Sequence, residues 1–259
     1  MSLHSPATLE SDSERPRRVA LISDVHGNLP AFRAVLTDIE AAGIDRIWCL
    51  GDVVGYGARP NECVQLAAEH CDLCLLGNHD LAVLGRLDIT EFSPTAAAAA
   101  RWTTRRLGGD AKSFLEVLAT HDETHALGLY HASPRDPVWE YVLSALLAGA
   151  CMDAMAPRVG AVGHSHVALW FWRENTGLPA GGAAPDGTMK DLSSGRWLVN
   201  PGAVGQPRDG DRRAAWLLLD PTAWSAAWRR VEYPVDEAAD AIRAEDLPTG
   251  LADRLYYGQ

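Results

Sequence analysis

Four short polar clusters combine residue types that bind divalent metals and move protons. They are Asp24-Val25-His26, Gly51-Asp52, Gly77-Asn78-His79-Asp80 and Gly163-His164-Ser165-His166. Carboxylate, amide and imidazole groups suit manganese, iron or zinc better than copper or a thiolate site. A single D-x-H pair is common by chance, and a lone Gly-Asp is usually a turn. Four such clusters in this order, each after an apolar run, predict one metal site assembled from several loops.

The apolar runs before these clusters predict the strands that position them. Strands are predicted at 17–23, 44–50, 71–76, 126–130 and 159–162. Helices starting near Pro30 and Pro60 separate the first three, and strand–helix alternation indicates a parallel sheet. Because loops at the carboxyl ends of parallel strands meet in one crevice, we expect the clusters to lie together.

The pattern changes twice further along the chain. Residues 81–120 are predicted to be helical, and after 166 the helices give way to antiparallel strands, an exposed loop at 175–191 and a helix at 235–244. The expected fold is an α/β four-layer α-β-β-α sandwich. Two mixed sheets, one from each half of the chain, would pack face to face between flanking helices. We expect a mobile leader at 1–16 and a single domain at 17–259, with a helical insertion at about 81–120.

Composition narrows the class of protein. The 259 residues are 47% hydrophobic and carry a net charge of -11, which argues against non-specific binding to nucleic acid. No uncharged apolar run approaches the ~18 residues of a membrane span, and the amino terminus lacks a signal-peptide core, so a cytoplasmic location is expected. Five cysteines, including the C-x-x-C at 71–74, are interpreted as buried reduced thiols.

The order D-x-H, G-D, G-N-H-D, a single His and G-H-x-H resembles the calcineurin-like metallophosphoesterases over about residues 19–219. Within that superfamily, the chain is most similar to the small bacterial and archaeal phosphodiesterase-like group. The segments that carry this closer likeness are SDVHGN at 23–28, GDVVGYG at 51–57, HASP at 131–134 and NPGAVGQPR at 200–208. The resemblance implies a metal-dependent hydrolase of small phosphodiesters, with nucleotides as one candidate class.

The resemblance also implies the cofactor and its ligands. Two divalent ions, manganese first with iron, zinc or nickel as alternatives, would activate a water that attacks phosphorus. The implied ligands are Asp24, His26 and His166 for the first ion, Asn78, His131 and His164 for the second, and Asp52 as the bridge.

Further roles follow from the same resemblance. His79 would be the catalytic residue, either as the general acid for the leaving oxygen or by stabilising its developing charge. Asp80 would orient His79 through a hydrogen bond. The candidate substrate contacts are Arg208, Asn28, Tyr56 and Arg135.

Two alternatives to a phosphodiesterase stay open. A phosphomonoesterase, such as a protein Ser/Thr phosphatase or a dinucleoside polyphosphate hydrolase, would use a similar metal centre. Protein phosphatases typically place an arginine after G-D, where this chain has Val53-Val54, and have Glu where it has Asp80. A non-catalytic metal-binding scaffold is less consistent with a full ligand set. The expected partner is a small phosphoester substrate, and no association with a membrane is expected. The Trp-rich strands could pack within the chain or form the face of a homodimer.

Overall fold

The computed structural model describes residues 18–44 and 46–259, so the leader predicted at 1–16 lies outside this part of the chain. The first strands and helices alternate as predicted. In chain order they are β1 (Val19–Ile22), α1 (Leu29–Ala41), β2 (Arg46–Cys49), α2 (Pro60–His70) and β3 (Leu73–Cys74). Helix α1 begins after Asn28, whose side chain accepts a hydrogen bond from the Ala31 N–H at 3.2 Å. Pro30 lies in its first turn, where the missing N–H has no consequence.

The stretch after β3 is helical, and the strands of the second sheet begin near residue 121. The helical stretch contains α3 (Asn78–Val83), a 3₁₀ turn (Ile89–Glu91), α4 (Pro94–Arg106) and α5 (Gly109–Glu116). The next elements are β4 (His121–Asp122), β5 (Gly128–Tyr130), α6 (Ala145–Ala154), β6 (Val159–Val162) and β7 (Leu169–Arg173). The Ser93 hydroxyl caps α4 by accepting a hydrogen bond from the Ala96 N–H at 3.3 Å.

The remaining elements are mostly strands. They are β8 (Ala180–Ala183), β9 (Met189–Asp191), β10 (Arg196–Asn200), β11 (Ala214–Asp220), β12 (Ser225–Val231), α7 (Val235–Ala244), α8 (Thr249–Asp253) and a 3₁₀ turn (Arg254–Tyr256). The loop predicted at 175–191 therefore contains two strands. Both lie at sheet edges, and their sequences AGGA and MKD lack the β-branched and aromatic residues that signal a strand.

The strands form two mixed sheets of six strands each, as predicted. Their orders are β3-β2-β1-β11-β12-β9 and β4-β5-β6-β10-β7-β8. The expectation that each half of the chain builds one sheet is wrong. Strand β1 pairs in parallel with β2 on one side and antiparallel with β11 on the other, so the first sheet joins both ends of the chain.

Alternation along β1 shows how the layers pack. Val19 and Leu21 point into the core between the two sheets, whereas Ala20 and Ile22 point into the core beneath the helices. On the outer face of the second sheet, Met152 of α6 packs into a third buried cluster. The result is the predicted four-layer order of helix, sheet, sheet and helix.

The Trp-rich strands pack within the chain. Trp170 and Trp172 lie 6.2 and 6.1 Å from Trp197, measured between ring centroids. The Trp228 indole N–H donates a 2.8 Å hydrogen bond to the Asn200 carbonyl. These contacts explain the aromatic pattern without a second copy of the chain, and a homodimer stays a prediction.

The loops that carry the predicted ligands follow parallel strands. In the first sheet, β1, β2 and β3 end at the first three polar clusters. In the second sheet, β5 ends at the loop with His131 and β6 at the loop with His164 and His166. Within the described residues, no helix combines the length and apolar character that a membrane crossing requires.

Candidate metal centre

The seven predicted metal ligands lie together in the interior, although they come from five loops. Each is at most 4% exposed. Six of the seven, together with His79, supply ligand atoms to three overlapping sets, and within each set the atoms lie within 4.8 Å of one another. The sets are Asp24, His26 and His166; Asp52, His131 and His164; and His26, Asp52 and His79.

The two aspartates each hold one oxygen by a backbone hydrogen bond and leave the other free. Asp24 Oδ2 accepts from the His164 N–H at 3.1 Å, and Asp52 Oδ1 accepts from the His79 N–H at 2.8 Å. Asp24 Oδ1 and Asp52 Oδ2 are buried without a hydrogen-bond partner. Because an unpaired buried carboxylate oxygen is unfavourable, both atoms fit a bound cation.

The free oxygen of Asp52 lies between the two halves of the cluster. Oδ2 is 3.5 Å from His26 Nε2 and 3.5 Å from His131 Nε2. On the first side, Asp24 Oδ1 lies 3.3 Å from His166 Nε2. On the other side, Asn78 Oδ1 lies 3.1 Å from His131 Nε2. One carboxylate oxygen thus belongs to two neighbouring ligand sets.

Backbone carbonyls fix the orientation of three histidine rings. His26 Nδ1 lies 3.1 Å from the Val54 carbonyl, and His131 Nδ1 lies 2.9 Å from the Leu50 carbonyl. His166 Nδ1 lies 2.6 Å from the Gln206 carbonyl. A carbonyl can only accept, so each Nδ1 carries the proton and each Nε2 presents a lone pair to the site.

His164 has the opposite orientation. Its Nε2 lies 3.3 Å from the Trp139 carbonyl, which leaves Nδ1 for a metal. Its ring stacks on Tyr141, with 4.1 Å between centroids and 22° between planes. The tilt of this predicted ligand is therefore set by an aromatic neighbour as well as by a hydrogen bond.

Two imidazole nitrogens lie at a distance that is unfavourable without a cation. His26 Nε2 and His166 Nε2 are 3.1 Å apart. Since both rings carry their proton on Nδ1, two lone pairs face each other across this gap. A divalent ion between them would turn a repulsive contact into two coordinate bonds, so the residues present fit a metal.

The backbone at the site adopts an uncommon conformation. Five of the seven predicted ligands have positive φ: Asp24 (55°), His26 (49°), Asp52 (54°), His164 (60°) and His166 (60°). Such left-handed residues are disfavoured by ~1–3 kcal/mol each when they are not glycine, and they cluster at functional sites. Backbone bonds between loops hold them, including Asp24 N–H to the Gly51 carbonyl (3.0 Å) and His26 N–H to the Asp52 carbonyl (2.9 Å).

Burial shifts acids and bases in opposite directions here. It raises the pKa of Asp24 to about 7, and burial followed by the Asp80 carboxylate raises the pKa of Asp52. Burial, followed by the His79 ring for His26 and by Arg208 for His166, lowers the pKa of both histidines. Both effects favour uncharged side chains in the metal-free chain.

His79 lies beside this cluster, in the first turn of α3. Its ring packs against Tyr56 and Phe92, with centroids 4.3 and 4.7 Å away. Its Nδ1 is buried without a hydrogen-bond partner. Burial, followed by the nearby Arg208, lowers the pKa of His79 to about 3. The ring is therefore neutral and keeps free hydrogen-bonding capacity.

Asp80 does not orient the His79 ring as predicted. Its carboxylate instead accepts backbone N–H groups of Val53 (3.3 Å), Val54 (3.0 Å) and Gly77 (3.0 Å). These three backbone N–H groups satisfy the buried Asp80 carboxylate, and the hydrogen bonds connect the loop after β2 to the start of α3. Asp80 thus fixes the two loops that carry Asp52 and Asn78.

A cavity of about 410 Å³ opens above the cluster. One wall is aromatic, and Phe92 and Trp139 meet edge to face at 5.5 Å within it. Another wall carries Arg208 and Arg254. A larger groove of about 560 Å³ between α2 and α5 has none of the candidate site residues in its lining.

Two of the four predicted substrate contacts line the cavity, and two do not. Tyr56 and Arg208 line the cavity. Asn28 does not, and both ends of its side chain are used, since it caps α1 and donates a 2.8 Å hydrogen bond to the Gly205 carbonyl. Arg135 lies in an ion pair with Glu140 at 3.2 Å and is absent from the lining.

Several site residues carried no recognised signal in the sequence. Phe92, Trp139 and Tyr141 belong to loops without a motif, and Arg254 lies near the carboxyl end, far from every cluster. Gln206 falls inside the NPGAVGQPR segment, but only the structure shows that its carbonyl orients His166.

Comparisons with known proteins identify the family of the chain. The profile of the calcineurin-like phosphoesterase superfamily domain matches residues 18–222. An uncharacterized protein of Methanocaldococcus jannaschii is 36% identical over 248 residues, covering 93% of this chain and 98% of that protein.

Two crystal structures are similar over nearly the full chain. A metallophosphoesterase from Sphaerobacter thermophilus is 40% identical with a TM-score of 0.85, covering 95% of this chain and 100% of that one. A hypothetical protein of Pyrococcus horikoshii OT3 shares the fold at 21% identity, with a TM-score of 0.75 and coverage of 93% and 98%. By sequence profile and by its similarity to these proteins, the chain belongs to the calcineurin-like phosphoesterase superfamily.

Proposed function

We propose that this protein hydrolyses small phosphodiesters at a centre of two divalent ions. The observation that carries the proposal is the position of Asp52 Oδ2, which is unpartnered and 3.5 Å from the Nε2 atoms of His26 and His131. One oxygen shared by two ligand sets is what a bridging ligand requires. Each ligand set then has a further carboxylate or amide oxygen and a second imidazole.

The proposed first site consists of Asp24, His26, His166 and Asp52, and the proposed second site consists of Asn78, His131, His164 and Asp52. Bound ions would supply Lewis acidity, lowering the pKa of a water and neutralising charge on the phosphoryl oxygens. Nitrogen and oxygen ligands admit manganese, iron, zinc or nickel, and we place manganese first.

His79 would act on the leaving oxygen. His79 lines the cavity next to the proposed ligand Asn78, and its Nδ1 is buried against Gly55 without a hydrogen-bond partner. Because the pKa of His79 is lowered to about 3, the ring holds a single proton near neutral pH. We therefore assign it a hydrogen bond that stabilises negative charge on the leaving oxygen, in preference to transfer from an imidazolium.

The shape of the cavity favours a diester over a monoester. A diester has organic groups on both sides of phosphorus, and the cavity of about 410 Å³ offers two chemically different walls. The aromatic wall takes Phe92 from the helical stretch after β3, and we propose that this stretch is the insertion that selects the substrate. A nucleotide would fit such a surface through base stacking.

A phosphomonoesterase is the second candidate, and one observation favours it. The Arg208 guanidinium forms no ion pair among the described residues and lies next to the proposed centre, where it contributes to the lowered pKa of His79 and His166. A free arginine at this place would also suit the dianion of a monoester.

Hydrolysis of two chromogenic esters tests the proposal. Metal-stripped protein is given Mn²⁺ and assayed with bis-p-nitrophenyl phosphate and p-nitrophenyl phosphate, alongside Asp52→Asn. The same substitution at Asp240, which is exposed and forms only a surface pair with Arg243, is the control. We expect metal-dependent diester turnover that Asp52→Asn abolishes. A preference for the monoester would select the second candidate, and absence of turnover by folded, metal-loaded protein would reject both.

A further inference from the structure

Two guanidinium groups converge on a single side-chain oxygen at the cavity wall. Arg208 donates from Nη2 to Gln206 Oε1 at 3.0 Å, and Arg254 donates from Nη1 to the same oxygen at 3.1 Å. Gln206 is 2% exposed, and both arginines are partly buried and line the cavity. A buried amide oxygen therefore holds two positive charges side by side at the surface a substrate would contact.

Neither arginine has a carboxylate partner within residues 18–44 and 46–259, whereas Arg173, Arg213 and Arg230 each form an ion pair. Arg208 Nε is also buried without a hydrogen-bond partner. Burial, followed by the neighbouring Arg208, lowers the pKa of Arg254. In a chain whose net charge is -11, this uncompensated cationic pair is unfavourable until an anion joins it.

The pair is held by the fold. Leu251 and Leu255, on either side of Arg254 along the chain, are 0% and 4% exposed and belong to the helix-side core. The Gly210 N–H donates a 3.0 Å hydrogen bond to the Gly258 carbonyl, which joins this carboxyl-terminal segment to the loop after Arg208. The two guanidinium groups thus meet because two distant segments are packed together.

A chain of contacts leads from the proposed metal centre to this pair. The rings of His79 and Tyr56 lie 4.3 Å apart. The Tyr56 hydroxyl accepts a 3.3 Å hydrogen bond from Arg208 Nη2, and Arg208 shares Gln206 with Arg254. Arg208 is therefore the nearer of the two to the proposed metal centre, and Arg254 is one residue further along the same wall.

We propose that Arg208 and Arg254 bind a second anionic group of the substrate, a terminal phosphate separate from the phosphodiester that is cleaved. Two planar guanidinium forks match the several oxygens of a phosphate better than a single carboxylate. This inference rests on the proposed function for the cleaved bond, but it assigns a new recognition site and a narrower substrate class.

Two substrates that differ only in a terminal phosphate test this site. One is the thymidine 5′-(p-nitrophenyl phosphate) diester, and the other is the same molecule with a 3′-phosphate. The measured quantity is the ratio of their kcat/KM values with Mn²⁺-loaded protein. For the wild-type protein we expect a ratio of about tenfold or more in favour of the 3′-phosphate, as charged hydrogen bonds to phosphate produce. In Arg254→Gln the ratio should fall to about one, with Arg254→Lys between the two.

A control separates the local effect from a general loss of positive charge. Arg33 is exposed on α1, has no ion pair among the described residues, and lies outside the cavity lining. Arg33→Gln should retain the wild-type ratio. A ratio near one in the wild-type protein, or a ratio that Arg254→Gln leaves unchanged, would overturn the proposal. Thermal unfolding of each variant checks that the fold is retained.

Binding without turnover distinguishes failure of this site from failure of the proposed function. Calorimetry would compare thymidine 3′,5′-bisphosphate with thymidine 5′-monophosphate on Mn²⁺-loaded protein. If neither ester is hydrolysed but the bisphosphate binds about tenfold more tightly, and Arg254→Gln removes that difference, the anion site stands and the hydrolase proposal fails. Equal binding of the two nucleotides would reject the anion site directly.

Discussion

The carboxylate of Asp52 and the backbone of His79 are joined by a 2.8 Å hydrogen bond, with Oδ1 as the acceptor. The other oxygen of the same carboxylate is the free Oδ2 that we propose as the metal bridge. Because a carboxylate is rigid, a movement of one oxygen moves the other. The position of the proposed bridge and that of the proposed catalytic histidine are therefore coupled through one side chain.

Asp52→Asn should separate function from stability. An amide can retain the hydrogen bond to His79 but lacks the charge that a bridge between two cations requires. We expect loss of at least one bound metal equivalent and a fall in activity of roughly 10²-fold or more, by analogy with the removal of other electrostatic groups at catalytic sites. Elemental analysis and kcat measure these effects.

In the absence of metal, Asp52→Asn should be at least as stable as the wild-type protein. Burial raises the pKa of Asp52, so the folded state holds its proton more tightly than the unfolded state. For an acid, a raised pKa in the folded state lowers stability once the pH rises above about 4, the pKa in the unfolded chain. Above that pH the folded state must bury a charged carboxylate or keep its proton. At about pH 8 the variant should unfold at the same temperature as wild type or a higher one. A clearly lower temperature would contradict this account.

His79→Ala should reduce turnover without removing metal. The loss should be roughly 10²–10⁴-fold for substrates with a poor leaving group, which need charge stabilisation or a proton. It should be smaller for p-nitrophenyl esters, whose leaving oxygen is already stable as an anion. Steady-state kinetics on a series of aryl and alkyl diesters would show a steeper dependence on leaving-group pKa in the variant. His70→Ala, at an exposed helix end, is the control. An equal loss for every leaving group would argue against this role.

Metal affinity should depend on pH through Asp24. Its carboxyl must lose a proton to coordinate an ion, and in the metal-free chain its pKa is raised to about 7. The apparent affinity for Mn²⁺ should therefore fall by at least about tenfold for each pH unit below 7, because Asp52, whose pKa is also raised, must lose its proton as well. The pKa values of His26 and His166 are lowered, so these rings are already neutral and add little to the slope.

Chelator competition at a series of pH values would measure this dependence. Asp24→Asn should bind more weakly overall and show a flatter profile, since one of the two titrating carboxyls is gone. An affinity for wild-type protein that is constant down to about pH 5.5 would contradict the assignment of Asp24 as a ligand with a raised pKa.

Gly77→Ala should damage the site while the fold remains. A methyl group at residue 77 would overlap Asp52 Oδ1 and lie 2.6 Å from the Asp52 backbone nitrogen. Relieving such an overlap in a packed interior typically destabilises a protein by ~1–3 kcal/mol and shifts neighbouring groups. We expect reduced metal content and activity. Gly250→Ala, where a methyl group meets no atom within 4 Å, is the matched control. Full metal content in Gly77→Ala would contradict the tight packing described.

The strand ends and the ligand loops were predictable from the sequence because both are local. An apolar run followed by Asp24 or by Asn78 marks a strand and the loop beyond it. The pairing of the strands could not be predicted in the same way. The contact between β1 and β11 joins Val19 to Leu219, and nothing in either apolar segment specifies its partner. The division of the sheets between the two halves of the chain was therefore predicted wrongly.

The residues around the metal ligands were missed for a related reason. Gln206 acts through its backbone carbonyl on His166, and any residue could supply that group. Arg254 reaches the cavity only because the carboxyl-terminal helix packs against the core. Asp80 was predicted to contact its sequence neighbour, but its carboxylate satisfies three backbone donors across the loop. These contacts depend on the tertiary fold and not on spacing along the chain.

The left-handed backbone at five of the seven proposed ligands has a consequence for which metal the protein carries. Hydrogen bonds between loops, such as that from the Asp24 N–H to the Gly51 carbonyl, set these conformations before any ion binds. A site shaped in this way needs little rearrangement on loading, so it has little means of rejecting an ion of similar size. We expect the resident metal to follow cellular supply and to differ between growth media.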